Sequence, residues 1–133
     1  MKEHVYSVRD KYGIIWWYKG NKVHREDGPA IIKPGGEVHW YQYDCLHRED
    51  GPASYFPNGD YMWAKNGELH RENGPAVSTY GTKEWYQNGK CHRLDGPAVE
   101  YANGHKAWYF DGKHINCNTQ EEFERLLKLK MFW

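Results

Sequence analysis

Apolar and polar residues alternate along short stretches of this chain, as in AVEY at 98–101 and HKAWY at 105–109, and each stretch stops within a few residues at Gly, Asn or Asp. A period of two sends successive side chains to opposite sides of an extended strand. The stops are turn dipeptides. Asn66-Gly67, Asn88-Gly89 and Asp111-Gly112 accept positive φ at both central positions of a type I′ turn, so each joins two short antiparallel strands. Gly20-Asn21 reads as an inversion of that dipeptide, and Tyr43-Asp44 as a departure from it. A second turn falls at Gly35-Gly36, at Asn58-Gly59, around Gly81 and at Asn103-Gly104. The pattern predicts two strands per unit, with residues 4–9 and 14–18 as the strands of a partial opening unit.

The units recur with a period of 23. HREDGPA stands at 24–30 and 47–53, followed by HRENGPA at 70–76 and HRLDGPA at 92–98. Trp17, Trp40, Trp63, Trp85 and Trp108 keep the same beat, and the first four precede His24, His47, His70 and His92 by seven residues. The third unit is one residue short, GPAVSTYGTKEW against GPASYFPNGDYMW, and the gap falls at a turn, where a deletion does least harm.

From Asn116 the periodicity changes. In NCNTQEEFERLLKLKMFW, Thr119 and Glu122 have capping-box spacing, and Phe123, Leu126, Leu127 and Met131 recur as one face of a helix. The expected fold is mainly β: a single elongated antiparallel β-meander of repeated hairpins over residues 1–115, closed by a capping helix over 116–133. Such a helix would bury the last aromatic face of an open array and cover an edge prone to self-association.

Composition narrows the function classes. Mean hydropathy is −1.01, yet aromatic residues make up 17% of the chain, which a disordered segment lacks. Lys+Arg and Asp+Glu number 18 each, so no overall field draws nucleic acid or an anionic membrane. Neither a signal-peptide apolar stretch nor a membrane-spanning run is present, and the expectation is a soluble cytoplasmic protein. Cys45, Cys91 and Cys117 are odd in number and lack CxxC spacing, which fits reduced thiols better than a disulfide frame or a zinc site. No cofactor is expected.

The recurring form W-Y-x-N-G-x-x-H-R-x-D-G-P-A over residues 6–115 resembles the MORN repeat, in the variant form found in bacterial and phage-type proteins. The resemblance implies an elongated sheet used for protein association, with antitoxin-like relatives and no catalytic residues. It implies an inhibitor, antitoxin or anti-defence protein whose partner is a host defence protein or a toxin, acting in the host cytoplasm if phage-encoded. The HR-E/L-D/N-GPA phrase replaces the closely spaced glycines of the standard pattern, so lipid binding is not carried over.

Three rows of residues invite chemistry. His24, His47, His70 and His92 would be spaced about 9–10 Å apart by two strands per unit, too far to share a zinc ion whose ligand nitrogens sit about 2.0–2.1 Å away. Arg25, Arg48, Arg71 and Arg93 could form an anion- or nucleotide-binding row, but acids stand one or two residues from each: Glu26 and Asp27, Glu49 and Asp50, Glu72, and Asp95. The structural reading makes the phrase a corner between hairpins, with His and Arg hydrogen-bonding across it. His39, His105, His114 and Glu84 show no triad or carboxylate-pair spacing, and no enzyme is expected. Alternation then sends the five Trp to one side and Tyr18, Tyr41, Ala64, Tyr86 and Tyr109 to the other. The expected contact residues for a partner protein are Tyr41, Tyr86 and Tyr109, with Tyr18 and the symmetry-breaking Tyr43 behind them. The alternatives are an anion or nucleotide binder using the His-Arg row, and a structural component of a virion or other assembly.

Overall fold

The computed structural model describes residues 4–130; Met131, expected on the helix face, lies outside them. The chain divides into two compact units, Met1–Leu69 and His70–Trp133. Both are built from short antiparallel hairpins, and the second carries one helix at its C-terminal end. Among the described residues no helix is long and apolar enough to cross a membrane.

In the first unit, β1 (Val5–Arg9) and β2 (Ile15–Lys19) form the opening hairpin, and β3 (Lys22–Val23) folds back on β2. The sheet continues through β4 (Ile31–Ile32) and β5 (Val38–His39). Next in the chain, β6 (Tyr41–Gln42) and β7 (Cys45–Leu46) make a separate two-stranded ladder. The chain then returns to the sheet as β8 (Ser54–Tyr55) and β9 (Tyr61–Met62), and leaves it again as the ladder of β10 (Ala64–Lys65) and β11 (Glu68–Leu69). The second unit repeats the scheme with β12 (Val77–Thr79) and β13 (Thr82–Glu84), the ladder of β14 (Tyr86–Gln87) and β15 (Lys90–Cys91), then β16 (Val99–Glu100), β17 (Lys106–Phe110) and β18 (Lys113–Ile115). The last element is α1 (Gln120–Lys130).

The expected antiparallel hairpin architecture is therefore present, with one correction to its grain. A full repeat supplies four short strand segments rather than two, because the strand is interrupted at Trp40, Trp63 and Trp85. The cause is a change of partner. Trp40 donates its N–H to Ala53 and accepts at its C=O from His47; Trp85 does the same with Ala98 and His92, and Trp17 with Ala30 and His24. Residues before each Trp pair within the sheet, and residues after it pair within the small ladder.

Turn chemistry explains the missing residue of the third repeat. The hairpins at Lys33–Glu37, Phe56–Asp60 and Tyr101–His105 close on three residues, with Gly36, Gly59 and Gly104 at φ of 102°, 93° and 91°. This is a type I turn followed by a left-handed glycine. In the third repeat Thr79 pairs directly with Thr82, leaving only Tyr80 (φ 50°) and Gly81 (φ 83°) as a two-residue type I′ turn. Deleting one residue exchanges one favoured hairpin for another and leaves the strands in register. Tyr43-Asp44 has φ of 49° and 65°, so this pair adopts the same turn class as the Asn-Gly pairs despite its side chains.

The terminal helix is capped at Thr119, whose Oγ1 accepts the N–H of Glu122 at 3.2 Å, while Glu122 reaches back to the N–H of Asn118 rather than that of Thr119 itself. Phe123 is fully buried against Trp108 and Ile115, with Phe110, Cys117, Leu126 and Leu127 around them. Trp108 Nε1 donates to Gln120 Oε1 at 2.7 Å, and Gln120 Nε2 donates to the carbonyl of Leu94. Trp16, Trp17, Trp40, Trp63 and Trp85 are half-buried, but Trp108 is buried, because the helix lies where no further corner follows.

Candidate functional site

Each residue of the seven-residue phrase has an intrachain task. The histidine Nδ1 accepts a backbone N–H about one repeat ahead: His24 from Tyr43 at 3.0 Å, His47 from Asn66 at 2.9 Å, His70 from Asn88 at 3.0 Å and His92 from Asp111 at 2.9 Å. In every case the donor is the first central residue of the next type I′ turn, whose N–H the turn itself leaves unused. The second turn residue bonds back as well, as Asp44 to Val23, Gly67 to Leu46 and Gly112 to Cys91. The ring also has a fixed tautomer, because an accepting Nδ1 leaves the proton on Nε2. That proton is directed at Glu26, Glu49 and Glu72, 3.3, 2.9 and 2.7 Å away.

The arginine is clamped on both faces. The guanidinium carbon lies 4.1 Å from the Trp17 ring centroid for Arg25, 4.0 Å from Trp40 for Arg48 and 3.9 Å from Trp85 for Arg93. On the opposite face sits the glycine of the phrase. A Cβ at Gly28, Gly51 or Gly96 would fall 2.7, 2.7 or 2.6 Å from that carbon, and one at Gly74 would fall 3.0 Å from Arg71. In all four phrases the Nη1 group donates to the proline carbonyl four residues on, at 3.0–3.2 Å. Arg25 and Arg93 also donate through Nε to Asp27 and Asp95, which is why the Asp27 carboxyl is held below the ordinary carboxylate range. Thus the two acids divide their work: the first faces His and the second faces Arg. The closing alanines, Ala30, Ala53, Ala76 and Ala98, are fully buried.

The histidine and arginine side chains of the phrase are thus engaged in bonds within the chain. Among the described residues no group of three His, Cys, Asp or Glu could hold a metal ion. The fourth phrase departs from the others because Leu94 replaces the glutamate, and here Arg93 gains a further bond to Glu100 at 3.0 Å. Beside it a polar depression of about 700 Å³ is lined by Glu72, Trp85, Gln87, His92, Arg93 and Asp95, among others. Its cation is already stacked on Trp85 and paired with Asp95.

The expected tyrosine row is divided by its surroundings. Tyr18, Tyr41, Tyr86 and Tyr109 are half-buried, and of the five only Tyr43 is exposed. Tyr18 stacks on Tyr6 at 5.6 Å. Tyr43 covers the His24 ring at 4.3 Å, and its hydroxyl receives the Lys19 ammonium at 3.1 Å. In the second unit Tyr86 donates to Glu84 at 3.2 Å and pairs across the ladder with Cys91. Burial, followed by the Glu84 charge, pushes the Tyr86 phenol up to about 12 and the Cys91 thiol up to about 11. The Tyr109 phenol is raised by burial and then by Tyr101. Tyr86, Tyr101 and Tyr109 thus share one neighbourhood.

The most exposed rings were missed by strand alternation. Tyr6, Tyr12, Tyr55, Tyr80 and Tyr101 join Tyr43 at the surface, with Tyr80 at 86% exposure. A signal was available, because Tyr55, Tyr80 and Tyr101 follow the GPA of successive phrases by two to four residues. Comparison of the chain with family models, curated proteins and solved structures finds no match.

Proposed function

We propose that this chain is a non-enzymatic protein-binding module of the MORN-like variant type, which inhibits or sequesters a partner protein by steric contact through its tyrosines. The observation that carries this reading is the division of labour among side chains. The histidine and arginine groups of the repeated phrase are held in bonds within the chain, whereas six tyrosines present their rings at the surface. Tyrosine gives a large, amphipathic contact at low conformational cost, and rings held on rigid hairpins lose little entropy on docking. Tyr101, beside Tyr109 and Tyr86, and Tyr43, fixed by His24 and Lys19, are the contact residues this reading favours. An inhibitor, antitoxin or anti-defence role in a cytoplasm is the form of association that the repeat's resemblance suggests.

The test is a binding titration with the partner identified by photo-crosslinking from Tyr101. Tyr101→Ala with Tyr109→Ala is expected to weaken binding at least about tenfold, with unchanged circular dichroism and little dependence on salt. Unchanged affinity in a folded double variant would remove the proposal. A steep loss of wild-type affinity with salt would favour anion recognition instead.

A further inference from the structure

β1 ends the strand order of its sheet, and Val5, Tyr6 and Val8 are 44%, 45% and 47% exposed. Natural sheets usually protect such an edge with proline, charged side chains, a bulge or a covering element; VYSVR has no proline, its one charge is Arg9 at its end, and its regular register with β2 contains no bulge.

The hydrogen-bond phase of this edge follows from its neighbours. Ser7 lies opposite Trp17, and Trp17 directs both its N–H and its C=O away from β1, to Ala30 and His24. Antiparallel ladders alternate bonded and non-bonded pairs, so Tyr6 and Val8 bond to β2, as Asp10 continues to do with Ile14. The N–H and C=O groups of Val5, Ser7 and Arg9 point outward.

We propose that two copies of the chain associate by antiparallel pairing of β1 about a twofold axis at Ser7. In this register Ser7 faces Ser7 of the other copy, and Val5 faces Arg9, in both directions. All three outward residues then fall in bonded pairs, giving about six backbone hydrogen bonds, two for each bonded pair. Tyr6 of one copy lies opposite Val8 of the other, so four apolar side chains meet on one face, next to the Tyr18 and Trp16 partners of each strand. At the ends, His4 faces Asp10, an acid whose carboxylate is already fixed by Trp16 Nε1 at 3.0 Å. A register shifted by one residue would set outward-facing Ser7 opposite inward-bonded Tyr6 or Val8 and lose the outward ladder. The pairing is isologous, hence closed, and gives a dimer rather than a fibre.

Sedimentation velocity over about a hundredfold range of concentration tests this, because so small an interface falls below the size of permanent complexes. Wild type is expected to pass reversibly from monomer to dimer. Ser7→Pro removes an outward N–H while leaving the β1–β2 ladder its bonds, and is expected to be monomeric with unchanged circular dichroism. Val5→Glu, which places a carboxylate opposite Arg9 twice, should tighten the dimer about fivefold, and Val5→Lys should weaken it as much. Adding Arg9→Glu to Val5→Lys should restore association. A wild type that stays monomeric throughout, a Ser7→Pro variant that still dimerises, or charge variants without these opposite effects would overturn the proposal.

Discussion

Arg93 holds its guanidinium carbon 3.9 Å from the centroid of the Trp85 ring, and Gly96 closes the other face so tightly that a Cβ there would lie 2.6 Å from the same carbon. Gly96 is thus required by a neighbouring side chain rather than by its own turn. Gly96→Ala is expected to destabilise the protein by about 1–3 kcal/mol through overpacking, and Arg93→Lys by about 1 kcal/mol because an ammonium cannot replace a stacked, planar donor. Gly35→Ala is the contrasting case: open space surrounds its Cβ position, and a gain of about 0.4–1 kcal/mol is expected from the unfolded chain. Urea denaturation of the three variants measures all of this; equal losses at Gly96 and Gly35 would refute the clamp.

The histidine staples predict a graded series. His47→Ala leaves the Asn66 N–H without its acceptor and opens a hole, at a cost of about 2–3 kcal/mol. His47→Asn should recover part of that loss, because its Oδ1 occupies the place of Nδ1. His92→Ala should cost less, since the His92 side chain is 16% exposed against 8% for His47 and lacks a carboxylate two residues on. Chemical denaturation ranks them, and a fully destabilised His47→Asn would show that ring volume rather than the bond matters.

Alkaline pH should weaken the second unit. Tyr86 and Cys91 ionise at about 12 and about 11 in the folded chain, against ordinary values of 10.0 and 9.0. Both folded values are raised, so their contribution is complete below pH 9 and is lost as pH climbs through 9–12. Melting temperature measured from pH 8 to 11.5 should fall less for Tyr86→Phe with Cys91→Ala than for wild type. The same burial should make Cys91 react with a thiol reagent far more slowly at pH 8 than exposed Cys45.

The helix is held chiefly by one ring. Phe123→Ala should cost about 3–5 kcal/mol and shift Trp108 fluorescence to the red as the helix lifts from Trp108 and Ile115. Gln120→Ala removes the acceptor of Trp108 Nε1 and should cost about 1 kcal/mol without losing helical circular dichroism. If Phe123→Ala left the emission maximum in place, the helix would not be what covers Trp108.

Some of this architecture was open to reading before any coordinates. Hairpin positions came from Asn-Gly and Asp-Gly pairs, whose backbone preference is local, and the helix from Thr119, Glu122 and the spacing of Phe123, Leu126 and Leu127. Tyr43-Asp44 escaped that reading, since Tyr43 takes positive φ although it is not among the residues that favour it. The candidate contact residues were harder. Alternation assumes that a strand runs straight, but partner exchange at Trp40 and Trp85 moved Tyr41 and Tyr86 into small ladders where they are half-buried.

A chain of 133 residues that repeats Trp and an HR-x-D/N-GPA phrase every 22 or 23 positions had already settled its period, its turns and its terminal helix, because each depends on residues close in sequence. What His, Arg and Gly do inside the phrase was decided only in three dimensions. His47 bonds to Asn66, nineteen residues ahead, and Arg48 lies on Trp40, in the hairpin before it. Stacking of one hairpin on the next creates those distances, and the order of the residues alone does not state them.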